Sequence, residues 1–268
     1  MSYYHVKTIE PWLHSICDPF KQAHIYLIVG ATKAIVYDTG HGIAPLMPVI
    51  RSLTLLPVTC VLSHAHGDHA NGAYEFEQAF IPEKDMELCY RHTGRTARKN
   101  VVTGLQDTDI PLPEDFDSEA YIALGATGLT GKLQPLALDT TFDLGGLTVK
   151  VIDMPGHTQG HIGLLIAEHR VLLTSDAAAP RLQWLFLNES TDVKNFTQML
   201  GRTLELPFDT FYDAHSGQTF NKSHMTQLKA VAEQIEVTQS TPFPELPQLN
   251  GLVYSQDDIA IIFNETKL

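Results

Sequence analysis

The sequence predicts a layered α/β fold, and three observations support that prediction. Hydrophobic residues make up 44% of the 268 residues, which is enough for a large core. Short strand-like apolar runs alternate along the chain with helix-like segments. Several of these strands end in a histidine or an aspartate: Asp38, His64, His157, Asp176 and His215. Because strand ends gathered at one edge of such a fold commonly form sites, we expect these side chains to meet.

Composition limits the classes of function. There are 18 basic and 31 acidic residues, giving a net charge of −13, which disfavours nucleic acid as a partner. The three cysteines form no CxxC pair, as expected in a reducing compartment. The N-terminal segment lacks the pattern of a secretion signal, and no apolar run is long enough for a membrane span. We therefore expect a cytoplasmic protein that contacts no membrane and acts on a small molecule.

The first half of the chain predicts a sheet followed by an insertion. Residues 6–40 are typical of an antiparallel meander, and 58–62 of a short buried strand. Helices are expected at 42–53, despite two prolines, and at 72–80 and 84–99. Residues 107–117 are typical of a loop. We interpret 90–132 as a lid-like insertion in a single domain spanning 1–268, with a disordered surface loop as the alternative.

The second half predicts further strands and two helices. Hairpins are expected at 142–152 and 162–173, an irregular apolar loop at 177–188, and a short strand from Phe211. Helices are expected at 191–206 and 221–237, followed by a proline-rich connector and two strands at 251–254 and 259–263.

The segment from His64 to His69 predicts a metal site. His64 and His66 are two residues apart after a buried strand, so their side chains point to the same side on an extended backbone. Gly67 permits a sharp turn that brings Asp68 and His69 towards the same point. Imidazole and carboxylate groups suit zinc, iron or manganese. A polar surface turn is the alternative, but burying clustered imidazoles without partners is costly.

The sequence resembles the metallo-β-lactamase superfamily. The motifs that carry the resemblance occur in the family's order: Asp-Thr-Gly at 38–40, HxHxDH at 64–69, Gly-His-Thr-Gln-Gly-His at 156–161, Ser-Asp at 175–176 and Ala-His-Ser-Gly at 214–217. The resemblance implies a four-layer αββα sandwich, in which two mixed β-sheets are flanked by helices.

The resemblance also implies a dinuclear metal site. His64, His66 and His157 would bind the first of two divalent ions, for which zinc is preferred and iron or manganese are alternatives. The second ion would be bound by Asp68, His69 and His215, with Asp176 bridging the two. Asp38 would orient ligands through hydrogen bonds. His161 could support the ligands but is expected to be structural, and His24 and His41 could border the site but are expected to lie on the surface.

The implied activity is hydrolysis of a small ester, thioester, lactone or related carbonyl substrate by a metal-bridging hydroxide. Asp68 would be catalytic, orienting the nucleophile and passing a proton to the leaving group. An aspartate at position 176 resembles the thioester, lactone and phosphodiester hydrolases rather than the cysteine-containing lactamases. The metal ligands match the glyoxalase II type, although the chain after His215 lacks that type's helical, basic glutathione-binding region.

Alternatives remain open. One is a mononuclear iron enzyme of the persulfide-dioxygenase type, and another is a β-lactam hydrolase. Arg91, Arg95 and Arg98 could bind an anionic substrate, although we expect a solvated helix face. Trp184 and Phe186 could line an apolar pocket or pack in the core. The sequence does not define the oligomeric state.

Overall fold

The structure is a computed structural model that describes residues 3–268. Met1 and Ser2, which begin the segment where no secretion signal is expected, lie outside the described residues. The chain forms two compact units, one ending at Val149 and the other starting at Lys150. That these units act as a single domain stays a prediction.

The first unit contains a mixed sheet whose strand order follows the sequence. Neighbouring strands are antiparallel from the first to the fourth and parallel from the fourth to the seventh. The predicted meander and the buried strand at 58–62 are confirmed. The strands are β1 (His5–Glu10), β2 (Leu13–Asp18), β3 (Ala23–Val29), β4 (Ala34–Tyr37), β5 (Val58–Val61), β6 (Ala79–Pro82) and β7 (Leu133–Leu136).

The core of this unit explains why β3 and β4 are almost continuously apolar. All four residues of β4 are buried, as expected for a strand that is covered on both faces. Side chains from these strands pack with Leu46 and Ile50 beside helix α1 (Met47–Leu53). This helix begins at Met47 rather than at residue 42, because Pro48 is tolerated only in a first turn.

Two further helix predictions in this unit need correction. The helix expected at 72–80 is wrong: a one-turn helix, α2 (Gly67–Ala70), is followed by a 3-10 turn (Asn71–Glu75) and then by β6. The helix expected at 84–99 is two helices, α3 (Glu83–His92) and α4 (Arg95–Gln106). They are separated at Thr93 and Gly94, where Gly94 is extended.

The insertion at 90–132 is largely helical. It contains α4 and α5 (Ser118–Thr127), and the segment between them has no regular structure, as expected for residues 107–117. Asp117 begins α5 because its carboxylate accepts hydrogen bonds from the backbone N–H groups of Glu119 and Ala120. That the insertion acts as a lid stays a prediction.

A second mixed sheet has the order β14-β13-β11-β10-β9-β8, and the boundary between the units falls inside β9. The expected hairpin between β10 and β11 is confirmed as an antiparallel pair, and β11 is parallel to β13. The strands are β8 (Thr141–Asp143), β9 (Thr148–Asp153), β10 (Ile162–Ile166), β11 (Val171–Ser175), β13 (Thr210–Asp213) and β14 (Phe220–Asn221).

A third sheet contains a segment that the sequence predicts to be a loop. Leu182–Leu185 forms β12, so the prediction of an irregular loop at 177–188 is wrong for these residues. This strand is parallel to the last strand of the chain, which gives it main-chain partners that no local pattern reveals. The sheet has the order β12-β17-β16-β15, with β15 (Thr241–Pro242), β16 (Gly251–Gln256) and β17 (Ile259–Asn264).

The second unit has its own core, to which two helices contribute. Helix α6 (Val193–Leu204) buries Phe196, Met199 and Leu200, and α7 (Lys222–Ala232) buries Met225 and Leu228. The sequence predicts both helices, but the second ends at Ala232, five residues before its predicted limit of 237. The mixed α/β class is confirmed. None of the helices within residues 3–268 combines the length and the apolar composition that a membrane span requires.

Candidate metal centre

The first cluster comprises His64, His66, Asp68 and His69, and the local fold brings these four side chains together. β5 ends just before it, and His66 is extended where it precedes α2. His64 Nε2 lies 3.1 Å from His66 Nδ1, and the rings of His64 and His69 are 4.2 Å apart. His69 Nε2 is 3.5 Å from Asp68 Oδ2.

Gly67 is required at this turn because the backbone approaches closely. A Cβ atom there would lie 2.7 Å from the carbonyl oxygen of His92 and 3.0 Å from the side-chain nitrogen of Asn71. The backbone φ of Gly67 is not in the left-handed region, so the turn does not need the conformational freedom of glycine. The missing side chain is therefore what lets α2 lie against the end of α3.

Asp38 organises the first cluster from the end of β4. Its Oδ1 atom accepts a hydrogen bond from the Ser63 backbone N–H at 2.7 Å. Its Oδ2 atom accepts one from Ser63 Oγ at 2.8 Å and lies 2.9 Å from His69 Nδ1. Asp38 is only 2% exposed and adopts a left-handed φ of 67°, which aspartate tolerates better than most residues.

These contacts fix the tautomer of two imidazole rings. A carboxylate can only accept, so His69 donates its Nδ1–H to Asp38. Ser63 has one hydroxyl proton and donates it to Asp38, so its oxygen accepts from His64 Nδ1 at 2.8 Å. In the neutral form of each ring the lone pair is then on Nε2, which is the form that a metal requires.

Asp85 is a supporting residue that the sequence did not reveal. It is 1% exposed, and its Oδ2 atom accepts a hydrogen bond at 3.1 Å from the backbone N–H of Ala65, between the first two histidines. In the sequence it is one of several acids near the start of α3. Acids are common in that position because they stabilise helix N-termini, so nothing distinguished it.

The second cluster comprises His157, Asp176 and His215, which the second unit brings together from three loops. His157 Nε2 lies 3.5 Å from Asp176 Oδ2, and His215 Nε2 lies 3.4 Å from Asp176 Oδ1. His157 Nδ1 is 3.1 Å from the carbonyl oxygen of Trp184, to which it must donate. As in the first cluster, the Nε2 atom of His157 carries the lone pair.

Two buried side chains shape the loops that carry Asp176 and His215. Gln183 donates to the carbonyl of Asp176 at 3.0 Å and accepts from the N–H of Ala179 at 2.8 Å. Asp213 accepts hydrogen bonds from the backbone N–H and the hydroxyl of Ser216, and burial raises the pKa of its carboxyl group. Because the sequence predicts a loop at 177–188, it does not indicate a structural role for Gln183 on β12.

Other candidate residues have structural surroundings. The ring of His161 is buried 6.3 Å from that of His157, and its structural role stays a prediction. His24 lies 2.8 Å from Ser15 Oγ through its Nδ1 atom. Trp184 packs against Phe186 and Phe243, at 5.4 and 6.0 Å between ring centres, which favours core packing over a pocket.

Two surface predictions need correction. His41 is 2% exposed, and its ring Nδ1 lies 3.1 Å from Asp18 Oδ2. Arg91 and Arg95 are exposed as expected, but Arg98 is completely buried. The proposed solvated face therefore does not include Arg98, and a completely buried guanidinium group is not accessible to a substrate in solution either.

The cysteines are poor candidates for a nucleophile. Cys60 and Cys89 are buried, and Cys17 is half-buried. Burial raises the pKa of the Cys89 thiol to about 12 and that of Cys17 to about 11. Because the thiolate is the reactive form, these thiols would be unreactive near neutral pH.

The donor set in each cluster fits a divalent metal ion. Each cluster offers imidazole nitrogens in the required protonation form together with a carboxylate, and these are typical ligands of zinc and iron. The family model for the metallo-beta-lactamase superfamily matches residues 18–230, which include both clusters. The chain belongs to this superfamily.

Relatives in this superfamily include named hydrolases. The chain is 26% identical over 197 residues to the acyl-coenzyme A thioesterase MBLAC2 of Gallus gallus, covering 69% of this chain and 68% of that protein. It is 29% identical over 151 residues to the hydroxyacylglutathione hydrolase GloC of Haemophilus influenzae, covering 54% and 60%. The chain thus spans about two thirds or less of these relatives' lengths.

A solved structure confirms the fold. A metallo-beta-lactamase family protein from Thermus thermophilus matches with a TM-score of 0.59 and 22% identity. The match covers 83% of this chain and 80% of that one. At this level of identity, the likeness is evidence for the fold alone.

Proposed function

We propose that this protein is a metal-dependent hydrolase of small thioesters. The observation that carries the proposal is the orientation of the imidazole rings of His64, His69 and His157 by hydrogen bonds at Nδ1. This arrangement is the usual one for histidines that bind a metal through Nε2. Membership of the superfamily and the thioesterase and hydroxyacylglutathione hydrolase relatives support the choice of substrate class.

Ligands for two divalent ions would come from both clusters. We propose that they are His64, His66, Asp68, His69, His157, Asp176 and His215, with zinc as the preferred metal. Such ions, when bound, supply Lewis acidity that polarises a carbonyl group and activates water.

The side chains of the protein would then orient the reactants and move protons. The carboxylate of Asp68 is partly exposed, so a water molecule or a leaving group can reach it. We propose that it holds a proton taken from the attacking water and passes it to the departing thiolate sulfur. Asp38 would keep His69 in its metal-binding form throughout, because it accepts the Nδ1–H.

The test combines metal analysis with a panel of substrates. Purified protein would be assayed for hydrolysis of an acyl-coenzyme A, an acylated glutathione, a lactone and a β-lactam, and for oxygen consumption with a glutathione persulfide, after its metal content has been measured. We expect two metal ions per chain and fastest turnover of a thioester. One iron per chain with oxygen consumption on a glutathione persulfide would contradict the proposal, as would preference for the lactone or the β-lactam.

The role of Asp68 is tested in the same assay. Asp68→Asn should lower kcat by at least about 100-fold, because general acid–base catalysis typically contributes that much. Metal analysis should still find at least one ion bound, because six of the proposed ligands remain. An Asp68→Asn protein with near-normal turnover would contradict the proton-transfer role. Glu77→Gln, which changes an exposed acid of the same unit, is the matched control.

A further inference from the structure

Arg98 is the largest of the completely buried side chains in residues 3–268. Arginine is seldom fully buried unless its charge has compensating partners, because removing a guanidinium group from water is costly. An apolar side chain of similar volume would generally stabilise such a position at least as well. The contacts of this guanidinium group therefore indicate what the charge does.

Two of its N–H groups donate hydrogen bonds to backbone carbonyl groups. Arg98 Nη2 donates to the carbonyl oxygen of Asn71 at 2.7 Å, and Nε donates to that of Thr93 at 3.0 Å. The guanidinium carbon also lies 4.8 Å from the centre of the Tyr121 ring and 5.7 Å from that of Tyr74. The charge is thus accommodated by carbonyl dipoles and aromatic rings.

The two carbonyl groups belong to the segments that enclose the Gly67 turn. Asn71 directly follows the last residue of α2, and α2 carries Asp68 and His69. Thr93 directly follows His92, the last residue of α3, whose carbonyl oxygen a Cβ on Gly67 would meet. A cation is favoured beside helix C-termini. One guanidinium group therefore links the C-terminal ends of α2 and α3.

A second connection runs from the insertion to the same loops. Tyr121 on α5 donates its hydroxyl proton to the carbonyl oxygen of His41 at 2.8 Å, and the side-chain amide of Asn71 lies 3.3 Å from that hydroxyl. His41 in turn donates its backbone N–H to Asp18 Oδ2 at 2.9 Å. Residues of α4 and α5 therefore hold the segment after Asp68 and His69 by buried polar contacts.

We propose that Arg98 is a positioning residue, whose guanidinium group fixes the Gly67–Asn71 turn and thereby places Asp68 and His69 for metal binding and turnover. This inference rests on the proposed function, because it assigns Asp68 and His69 the roles given there. It also assigns a role to the helical insertion, which would hold one side of the metal centre in place.

The test compares Arg98→Lys and Arg98→Met with Arg95→Ala, an exposed position on the same helix. Co²⁺ is titrated into each metal-free protein, and its visible absorption reports both affinity and coordination. We expect Arg98→Met to weaken Co²⁺ binding by about 10- to 100-fold, as other residues that orient ligands do. Its kcat should fall about 10-fold or more with KM little changed, and Arg95→Ala should match the wild type.

Arg98→Lys separates positioning from folding. A lysine keeps the charge but cannot donate in two fixed directions from one plane, so we expect a stable protein with an altered Co²⁺ spectrum and reduced affinity. If Arg98→Met does not fold, this variant carries the test, together with recovery of Co²⁺ affinity in Arg98→Gly by added guanidinium but not by urea. Recovery by guanidinium alone would support the proposal.

The outcomes distinguish the two proposals. Wild-type affinity and spectrum in the folded Arg98 variants would overturn the role of Arg98 and leave the hydrolase proposal standing. Co²⁺ binding without thioester hydrolysis by the wild-type protein would overturn the hydrolase proposal, while the titrations still decide the role of Arg98. A wild-type protein that binds no Co²⁺ would overturn both.

Discussion

The two clusters use the same ligand chemistry but are held in different ways. The first lies within one short segment, and its histidines are oriented by the side chains of Asp38 and Ser63. The second draws its residues from three separate loops, and His157 is oriented by the backbone carbonyl of Trp184. A single substitution can therefore remove the support of the first cluster, whereas the support of His157 does not depend on the identity of a side chain.

The largest effect should follow from Asp38→Ala. Three buried donors would lose their acceptor, which costs about 3–5 kcal/mol in the free energy of unfolding. Metal affinity should fall by about 10- to 100-fold because His69 loses the group that fixes its protonation. Urea unfolding of the metal-free protein and metal titration would measure the two effects.

Trp184→Leu is the matched substitution in the second unit. It keeps the backbone carbonyl that accepts from His157, so metal affinity should change by less than a few fold. Some stability would still be lost, because the Trp184 ring packs on Phe186 and Phe243. Equal losses of metal affinity in Asp38→Ala and Trp184→Leu would contradict the difference between side-chain and backbone support.

A second comparison concerns one glycine at each cluster, where we expect a substitution to cause a loss of stability of intermediate size. A Cβ at Gly67 would lie 2.7 Å from the backbone oxygen of His92, and one at Gly156 would lie 2.8 Å from a ring carbon of Phe196. A backbone segment cannot rotate away as a side chain can, so Gly67→Ala should cost about 2–3 kcal/mol and Gly156→Ala about 1 kcal/mol. Thermal unfolding of both variants would measure the order, and the reverse order would contradict this explanation.

The local character of the first cluster also explains how much the sequence could predict. The histidines, the preceding strand and Asp38 are close together in the chain or mark a strand end, so periodicity and spacing indicate them. The strand β12 could not be predicted, because its parallel partner is β17, more than seventy residues later. Gln183, on that strand, holds the Asp176 turn only in the folded protein.

The burial of two charged residues also could not be predicted from the sequence. Asp85 and Arg98 lie beside exposed charged residues such as Lys84 and Lys99, so the local sequence suggests a solvated surface. Their burial follows from how α3 and α4 pack against the loops at the ends of β5 and α2, which is a tertiary feature. A sequence pattern predicts which face of a helix is buried. It does not predict the backbone carbonyl and N–H groups that Asp85 and Arg98 contact, and these contacts define their roles.

The smallest of these effects is expected for Ser63→Ala, which removes one link and leaves Asp38 in place. His64 Nδ1 would lose its acceptor, while Asp38 would still accept from the Ser63 backbone position and from His69. One buried hydrogen bond contributes about 1 kcal/mol, so stability should fall by about that amount and metal affinity by only a few fold. Denaturant unfolding and metal titration of Ser63→Ala beside Asp38→Ala would measure the ratio. A loss as large as that of Asp38→Ala would mean that the hydroxyl group, rather than the carboxylate, organises the cluster.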